Sequence, residues 1–328
     1  MIMTREVMEH IYRIPVPLPN NPLRELNCYL IRGRERSLLI DTGFRQEACR
    51  QALFAGLQEL GVRMEDTDVL LTHLHSDHTG LLPEVASPES RVYIDDLDRD
   101  WIVGRTRFEL ERQEDDRFAM TGIPADMLKV VSDTHPGRRF APDPDFDRYT
   151  HLSTGDTLEV GGYRLQAIQT PGHTPSHLCL WMEEQQTMFT GDHVLFDITP
   201  NITRWPNLEN ALGRYLESLK KVRAYPVKTA LPAHRATGDF HARIDALLAH
   251  HEYRLGECLK VVREEPGLLP YDIAGRMTWR IRAKNWDDFP IAQKWFAVGE
   301  CLSHLDYLRA EGCVREEVSD GLLRYYPV

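Results

Sequence analysis

One stretch constrains this chain more than any other: a buried strand that runs without a linker into a cluster of metal-binding side chains. Val69-Leu70-Leu71-Thr72 reads as a short buried strand, and His73-Leu74-His75-Ser76-Asp77-His78-Thr79-Gly80 follows directly. Three imidazoles and a carboxylate within six residues are hard to explain as a solvated loop. Imidazole and carboxylate together suit zinc, iron or manganese. His73 and His75 alternate, so in an extended segment they point the same way. Asp77 and His78 follow the turn and face a second position. The end of an apolar strand is where α/β sheets build their sites.

Three more segments repeat that placement. His173 lies in Thr170-Pro171-Gly172-His173-Thr174-Pro175, after a strand ending at Ile168. Asp192 lies in Phe189-Thr190-Gly191-Asp192-His193, and His234 in Leu231-Pro232-Ala233-His234, each at a strand end. Alone, each reads as a cap or turn residue. Together they supply His, Asp and His at the position of the first motif.

The rest of the pattern is α/β. Strands are expected at 27–31 and 37–41, paired as a hairpin that closes on Asp41-Thr42-Gly43, and at 91–94, 156–160, 163–168, 178–182, 187–190 and 228–231. Helices are expected at 45–61, where Cys49, Leu53, Leu57 and Leu60 share a face, and at 207–223. Residues 95–150 interrupt the strands with charged, aromatic sequence, helical near 97–119 and 124–131. So long a segment reads as a lid or inserted subdomain. From residue 240 the texture changes to helices at 241–264, 270–279 and 290–311 and a final hairpin turning at Asp320-Gly321. That is the outline of a winged helix. The expected division is 1–239 and 240–328.

Charge narrows the partners. The 328 residues carry a formal net charge of −11, and residues 239–328 hold 12 Lys plus Arg against 15 Asp plus Glu. A domain docking on nucleic acid is usually more basic, so nucleic acid is an unfavoured partner. The cluster Arg276, Arg280, Arg282 and Lys284 reads first as a solvated helix face and second as a phosphate or anion contact. No apolar run is long enough for a signal peptide or a membrane span. The six cysteines form no CxxC pair and read as reduced thiols, so a cytoplasmic protein is expected, with Cys179 a core residue and not a nucleophile. The long helices at 241–264 and 290–311 leave a homodimer open. His250 and His251 read as helix-surface or domain-interface residues, and Met277-Thr278-Trp279 and Trp295-Phe296 as core anchors.

The ordered set Asp41-Thr42-Gly43, HxHxDH, His173, Asp192 and His234 resembles the metallo-β-lactamase superfamily over roughly residues 25–240. The resemblance implies a four-layer αββα sandwich with a dinuclear metal site at one edge of its two sheets, followed here by a small, mainly helical, winged-helix-like domain. It implies that His73, His75 and His173 bind one divalent ion, that Asp77, His78 and His234 bind the other, and that Asp192 bridges them. Zinc is the expected metal, with iron or manganese served by the same ligands. Asp41 would orient ligands, or serve only its turn; His193, after the bridging residue, and His177 would stand behind the ligands or simply fill the core. The implied chemistry is attack by a hydroxide held between the ions, with Asp77 orienting it and later handling the leaving-group proton. Flavodiiron relatives carry Glu where this chain has His75, which argues against redox di-iron chemistry. The leading expectation is a hydrolase of a small, anionic or acyl substrate (a thioester, lactone or related ester), as in glyoxalase II and its relatives. Arg204 and Trp205 are candidate substrate contacts, or a packed loop. The alternatives are a phosphodiesterase or ribonuclease on the same metals, and a non-catalytic metal sensor.

Overall fold

The structure, a computed structural model, describes residues 4–328; Met1, Ile2 and Met3, the start of the N-terminus read above as lacking a leader, lie outside the described residues. Seven strands form one sheet in chain order: β1 (Arg5–Met8), β2 (Ile11–Pro17), β3 (Glu25–Ile31), β4 (Ser37–Ile40), β5 (Thr67–Leu70), β6 (Val92–Ile94) and β7 (Thr150–His151). β1 to β4 are antiparallel, and β4 to β7 are parallel. The second sheet holds β8 (Thr157–Val160), β9 (Tyr163–Gln169), β10 (Leu178–Met182), β11 (Thr187–Gly191) and β12 (Thr229–Pro232), in the order β12-β11-β10-β9-β8.

Strands β4, β5, β10 and β11 are buried along their whole length, as strands covered on both faces must be. The two-residue period sorts their side chains. Ile31, Ile40 and Leu70 of the first sheet meet Leu178, Leu180 and Phe189 of the second, which makes the layer between sheets. Leu30, Leu39 and Val69 turn the other way, onto Leu53 and Leu57 of the helix Glu47–Glu59. Cys179, Trp181 and Met188 face Leu212 and Leu219 of the helix Ala211–Arg223 and Ile244 and Leu247 of the helix Phe240–Glu264. The result is the expected αββα order.

The sequence reading began its strands at residue 27 and missed β1 and β2. Pro15 and Pro17 demote Ile11–Pro17 as a strand, because proline cannot donate to a ladder. The sheet tolerates them because β1 reaches β2 only at Ile11–Arg13, so both prolines lie past the end of that pairing. The tail hairpin is as expected. β13 (Val314–Ser319) and β14 (Leu322–Pro327) pair antiparallel, and Asp320 and Gly321 both have positive φ, as a type I′ turn requires.

Two units read as separate in sequence share a core. Phe118 and Ile123 of the inserted segment pack with Cys258, Val298 and Leu302 of the C-terminal helices. The helix Phe240–Glu264 starts in the sandwich cluster and ends in the C-terminal one. Polar contacts cross the same seam. Arg204 ion-pairs with Asp306 on the helix Ile291–Ala310, and Glu316 of β13 receives Arg117 at 2.8 Å and Arg204 at 3.4 Å. Removing one partner of a buried pair leaves the other charge uncompensated. Asp306→Ala is therefore expected to lower unfolding stability by about 3–5 kcal/mol. Chemical denaturation measures it, and a loss under about 1 kcal/mol would mean the pair behaves as an exposed one.

Candidate metal centre

The expected site residues converge at one edge of the sandwich, each carried there by a strand end. β5 delivers the loop with His73 and His75, and the short helix Ser76–Thr79 carries Asp77 and His78. The turn between β9 and β10 presents His173; β11 ends at Asp192, and β12 at His234. Gly191 is glycine for two reasons. Its φ is +49°, and a Cβ there would lie 2.4 Å from Nε2 of His177.

Hydrogen bonds fix how each imidazole is presented. The Thr72 hydroxyl donates to Asp41 at 2.8 Å, so it accepts from Nδ1 of His73 at 3.0 Å. Nδ1 of His78 donates to Asp41 at 2.8 Å, Nδ1 of His173 to the Asn201 carbonyl at 2.9 Å, and Nδ1 of His234 to the Glu25 carbonyl at 2.8 Å. In all four rings Nδ1 is thereby committed, and Nε2 is the nitrogen turned inward. Nδ1 of His75 lies 3.0 Å from Nε2 of His73, so both nitrogens look into the same space.

Nε2 of His78, His173 and His234 and Oδ1 of Asp192 are buried without a hydrogen-bond partner. Buried polar atoms are normally satisfied, so orphans that converge point to a shared cation. The ligand atoms fall into three groups, each within 4.8 Å: His73, His75 and His173; His73, His78 and Asp192; Asp77, His78 and His234. Asp192 faces both ways. Its Oδ2 lies 3.6 Å from His173, while Oδ1 lies 3.7 Å from His78 and 3.5 Å from His234. Oδ2 of Asp77 is 3.3 Å from Nε2 of His234. The donor set fits two divalent ions of the kind imidazole and carboxylate hold.

Electrostatics divide the cluster. Burial pushes His73 and His75 well below the usual histidine range, and His173 down as well, so these three imidazoles are neutral. Burial also lowers His78, but the carboxylates of Asp41, Asp77 and Asp192 outweigh it and raise it to about 10. His234 is raised the same way by Asp192 and Asp77. Burial works to raise Asp77, yet His78 and His234 bring it well below the usual carboxylate range.

The supporting residues sort themselves. Asp41 has a left-handed backbone, φ +63°, and accepts from the Thr72 amide at 2.8 Å as well as from His78, so it orients and does not face the cluster. His177 accepts the Asp192 amide at 3.0 Å and is set by Thr170 at 2.8 Å, so it positions Asp192. His193 turns into the core, its ring 5.2 Å from Tyr215 and 6.0 Å from His177. Burial pushes it down to about 3. Cys179 is fully buried, and burial lifts its thiol to about 12, which makes it a core residue. His251 is an interface residue, buried against His304 with ring nitrogens 3.3 Å apart.

Two sequence readings change. Arg204 is held by the fold, because its Nε and Nη2 are taken by Asp306 and Glu316. The basic cluster offers less free charge than its sequence suggests, since Arg276 is bound to Glu265 at 2.6 Å. Trp205 does stand beside the site. It is 6% exposed, with its ring 6.0 Å from His75 and 5.0 Å from Trp101. Its loop also lines a cleft of about 620 Å³ with Phe118, Leu302 and Arg309. Sequence reading missed Asp98, which is buried and hydrogen-bonded to Leu74, Thr174 and Ser176. It sits in the acidic run Asp95-Asp96-Leu97-Asp98-Arg99-Asp100, which carries no signal separating it from solvated neighbours.

The family described as the metallo-beta-lactamase superfamily matches residues 22–234. The chain is 28% identical over 251 residues to an atrochrysone carboxyl ACP thioesterase of Aspergillus fumigatus, covering 75% of this chain and 47% of that protein. It is 25% identical over 334 residues to the lactamase-like protein adaB of Aspergillus niger, covering 90% and 88%. The match thus spans about half the length of the thioesterase. A metallo-beta-lactamase family protein of Thermus thermophilus has a similar structure, with a TM-score of 0.82 at 28% identity over 98% of this chain and 100% of that one.

Loss of a residue that orients a metal ligand typically weakens metal binding 10–100-fold. Asp41→Asn is expected to do so, read by competition with a chromophoric chelator. Metal uptake should also release protons below about pH 10, because His78 must shed its proton to ligate. A pH-independent affinity from pH 6 to 9 would contradict that.

Proposed function

Because the chain belongs to the metallo-beta-lactamase superfamily, we propose that it is a metal-dependent hydrolase that cleaves an acyl thioester at a dinuclear zinc centre. His73, His75 and His173 would hold one ion and Asp77, His78 and His234 the other, with Asp192 between them. The convergence of four orphaned buried polar atoms carries the reading. The thioesterase among its relatives supports thioester over lactone. The division at residue 239, with a winged-helix-like C-terminal unit, belongs to the same proposal, with the helix Phe240–Glu264 as a strut shared by both units.

When bound, the two ions supply an acidified water and a Lewis acid for the carbonyl oxygen. The protein's own groups do the rest. Asp77 stays ionised beside His78 and His234, so it can orient water and accept a proton. The neutral histidines on the other side add no charge that would repel a cation. Trp205 and Trp101 form an apolar wall beside His75, against which the acyl group would lie. In the net reaction, water oxygen bonds to the carbonyl carbon, the C–S bond breaks, and the sulfur leaves as a thiol once protonated.

A panel tests this: an acyl thioester, an aliphatic lactone, a phosphodiester and a β-lactam, each with zinc-loaded protein and with Asp77→Ala, metal content being measured in both. Thioester turnover is expected, with kcat falling about 10²–10⁴-fold in the variant. Phosphodiester turnover alone would favour a nuclease. Two bound ions with no turnover would favour a sensor.

A further inference from the structure

The two halves of the ligand cluster are held by two different carboxylates, and only one of them was legible in the sequence. Asp41 grips the Thr72 amide, the Thr72 hydroxyl and His78. Asp98, in the short helix Asp96–Arg99 at the start of the inserted segment, grips a different set. Its Oδ2 accepts from the Leu74 amide at 3.0 Å and from the Thr174 hydroxyl at 2.6 Å. Its Oδ1 accepts from the Ser176 amide at 2.7 Å and the Ser176 hydroxyl at 3.1 Å. The Asp98 amide donates back to the Ser176 hydroxyl at 3.0 Å. Leu74 lies between His73 and His75, and Thr174 follows His173. One carboxylate therefore clamps together the two loops that carry these three histidines. No hydrogen bond joins it to Asp77, His78 or His234 among the described residues.

We propose that Asp98 is the positioning residue for one half of the dinuclear centre: it sets the spacing of His73 and His75 against His173, and so the affinity of that metal position alone. The inference rests on the dinuclear reading above. Two of its four acceptor contacts are to backbone amides, which can only donate. A carboxylate satisfies both loops at once. An amide cannot, since one of its two ends is a donor. Asn at this position must turn its NH₂ toward either Leu74 or Ser176, and one loop loses its anchor. The inserted segment would then act on the centre from its first helix.

The test is zinc titration of Asp98→Asn, Asp98→Ala and Thr174→Val by calorimetry, with melting temperature measured in chelator. Anomalous diffraction at the zinc edge then shows which position stays filled. The expected result is a 10–100-fold loss of affinity for one of two equivalents in Asp98→Asn. The retained ion should lie among Asp77, His78 and His234. Thr174→Val, which removes one contact and keeps the fold, should show a smaller loss of the same equivalent. Equal weakening of both equivalents, or a lower melting temperature in chelator with unchanged affinities, would overturn the proposal in favour of a fold role. Unchanged affinities in all variants would overturn it outright. Fewer than two equivalents in the unsubstituted protein would sink the dinuclear reading itself.

Discussion

Everything in this molecule is arranged around the burial of Asp77 and Asp192 with five imidazoles at one edge of two sheets. Taking two carboxylates out of water costs several kcal/mol each unless positive charge meets them. The site meets part of that cost itself through His78 and His234, whose pKa values these carboxylates raise. It exists because strand ends, whose backbone is fixed by pairing on both sides, leave the side chains nowhere else to go. β5 is bonded to β4 and β6, and β11 to β10 and β12. Binding a cation to such a site stabilises the whole fold, because the unfolded chain has no comparable cluster.

A second layer of polar contacts converts approximate placement into coordination geometry. Each inward-facing ring has its other nitrogen committed, to a hydroxyl, a carboxylate or a carbonyl. Two of those acceptors are backbone carbonyls from distant segments, Asn201 and Glu25. The tautomers of His173 and His234 are thus dictated by main chain that carries no sequence signature. The same holds for Asp192, whose amide is taken by His177 and whose preceding glycine lacks the Cβ that would lie 2.4 Å from that ring.

This accounts for what was legible in the sequence and what was not. The residues facing the cluster were readable because their chemistry is rare at such spacing and recurs at strand ends. The layer order was readable because β4, β5, β10 and β11 are short apolar runs. β2 was not, since Pro15 and Pro17 speak against a strand until one sees where β1 stops. Arg204 misled for a related reason. An arginine next to a tryptophan after a metal-site turn looks like a ligand contact, and only tertiary structure brings Asp306, about a hundred residues later, onto it. Asp98 was hidden because four other charged residues surround it in Asp95–Asp100. Its partners, not its identity, separate it from them, and those partners include Thr174 and Ser176, more than seventy positions away.

The late half of the chain bears on function through the same logic. The inserted helix Gly104–Ala119 and the C-terminal helix Ile291–Ala310 meet where Phe118 stacks on Trp295, ring centroids 4.9 Å apart. His135 rests on the same tryptophan at 4.7 Å, and the neighbouring Pro136 carbonyl accepts from Ser76 inside the metal-binding segment at 3.0 Å. A continuous run of contacts therefore leads from the C-terminal helix through the inserted segment to the helix that carries Asp77 and His78. Catalytic cores of this architecture serve many chemistries, and selectivity has to come from what is built over the ligand edge. In this chain that superstructure is assembled from both the insertion and the C-terminal helices, held by one shared apolar cluster and the Arg117–Glu316–Arg204 contacts. Neither could be exchanged without repacking the other, so the insertion and the C-terminal helices change only together.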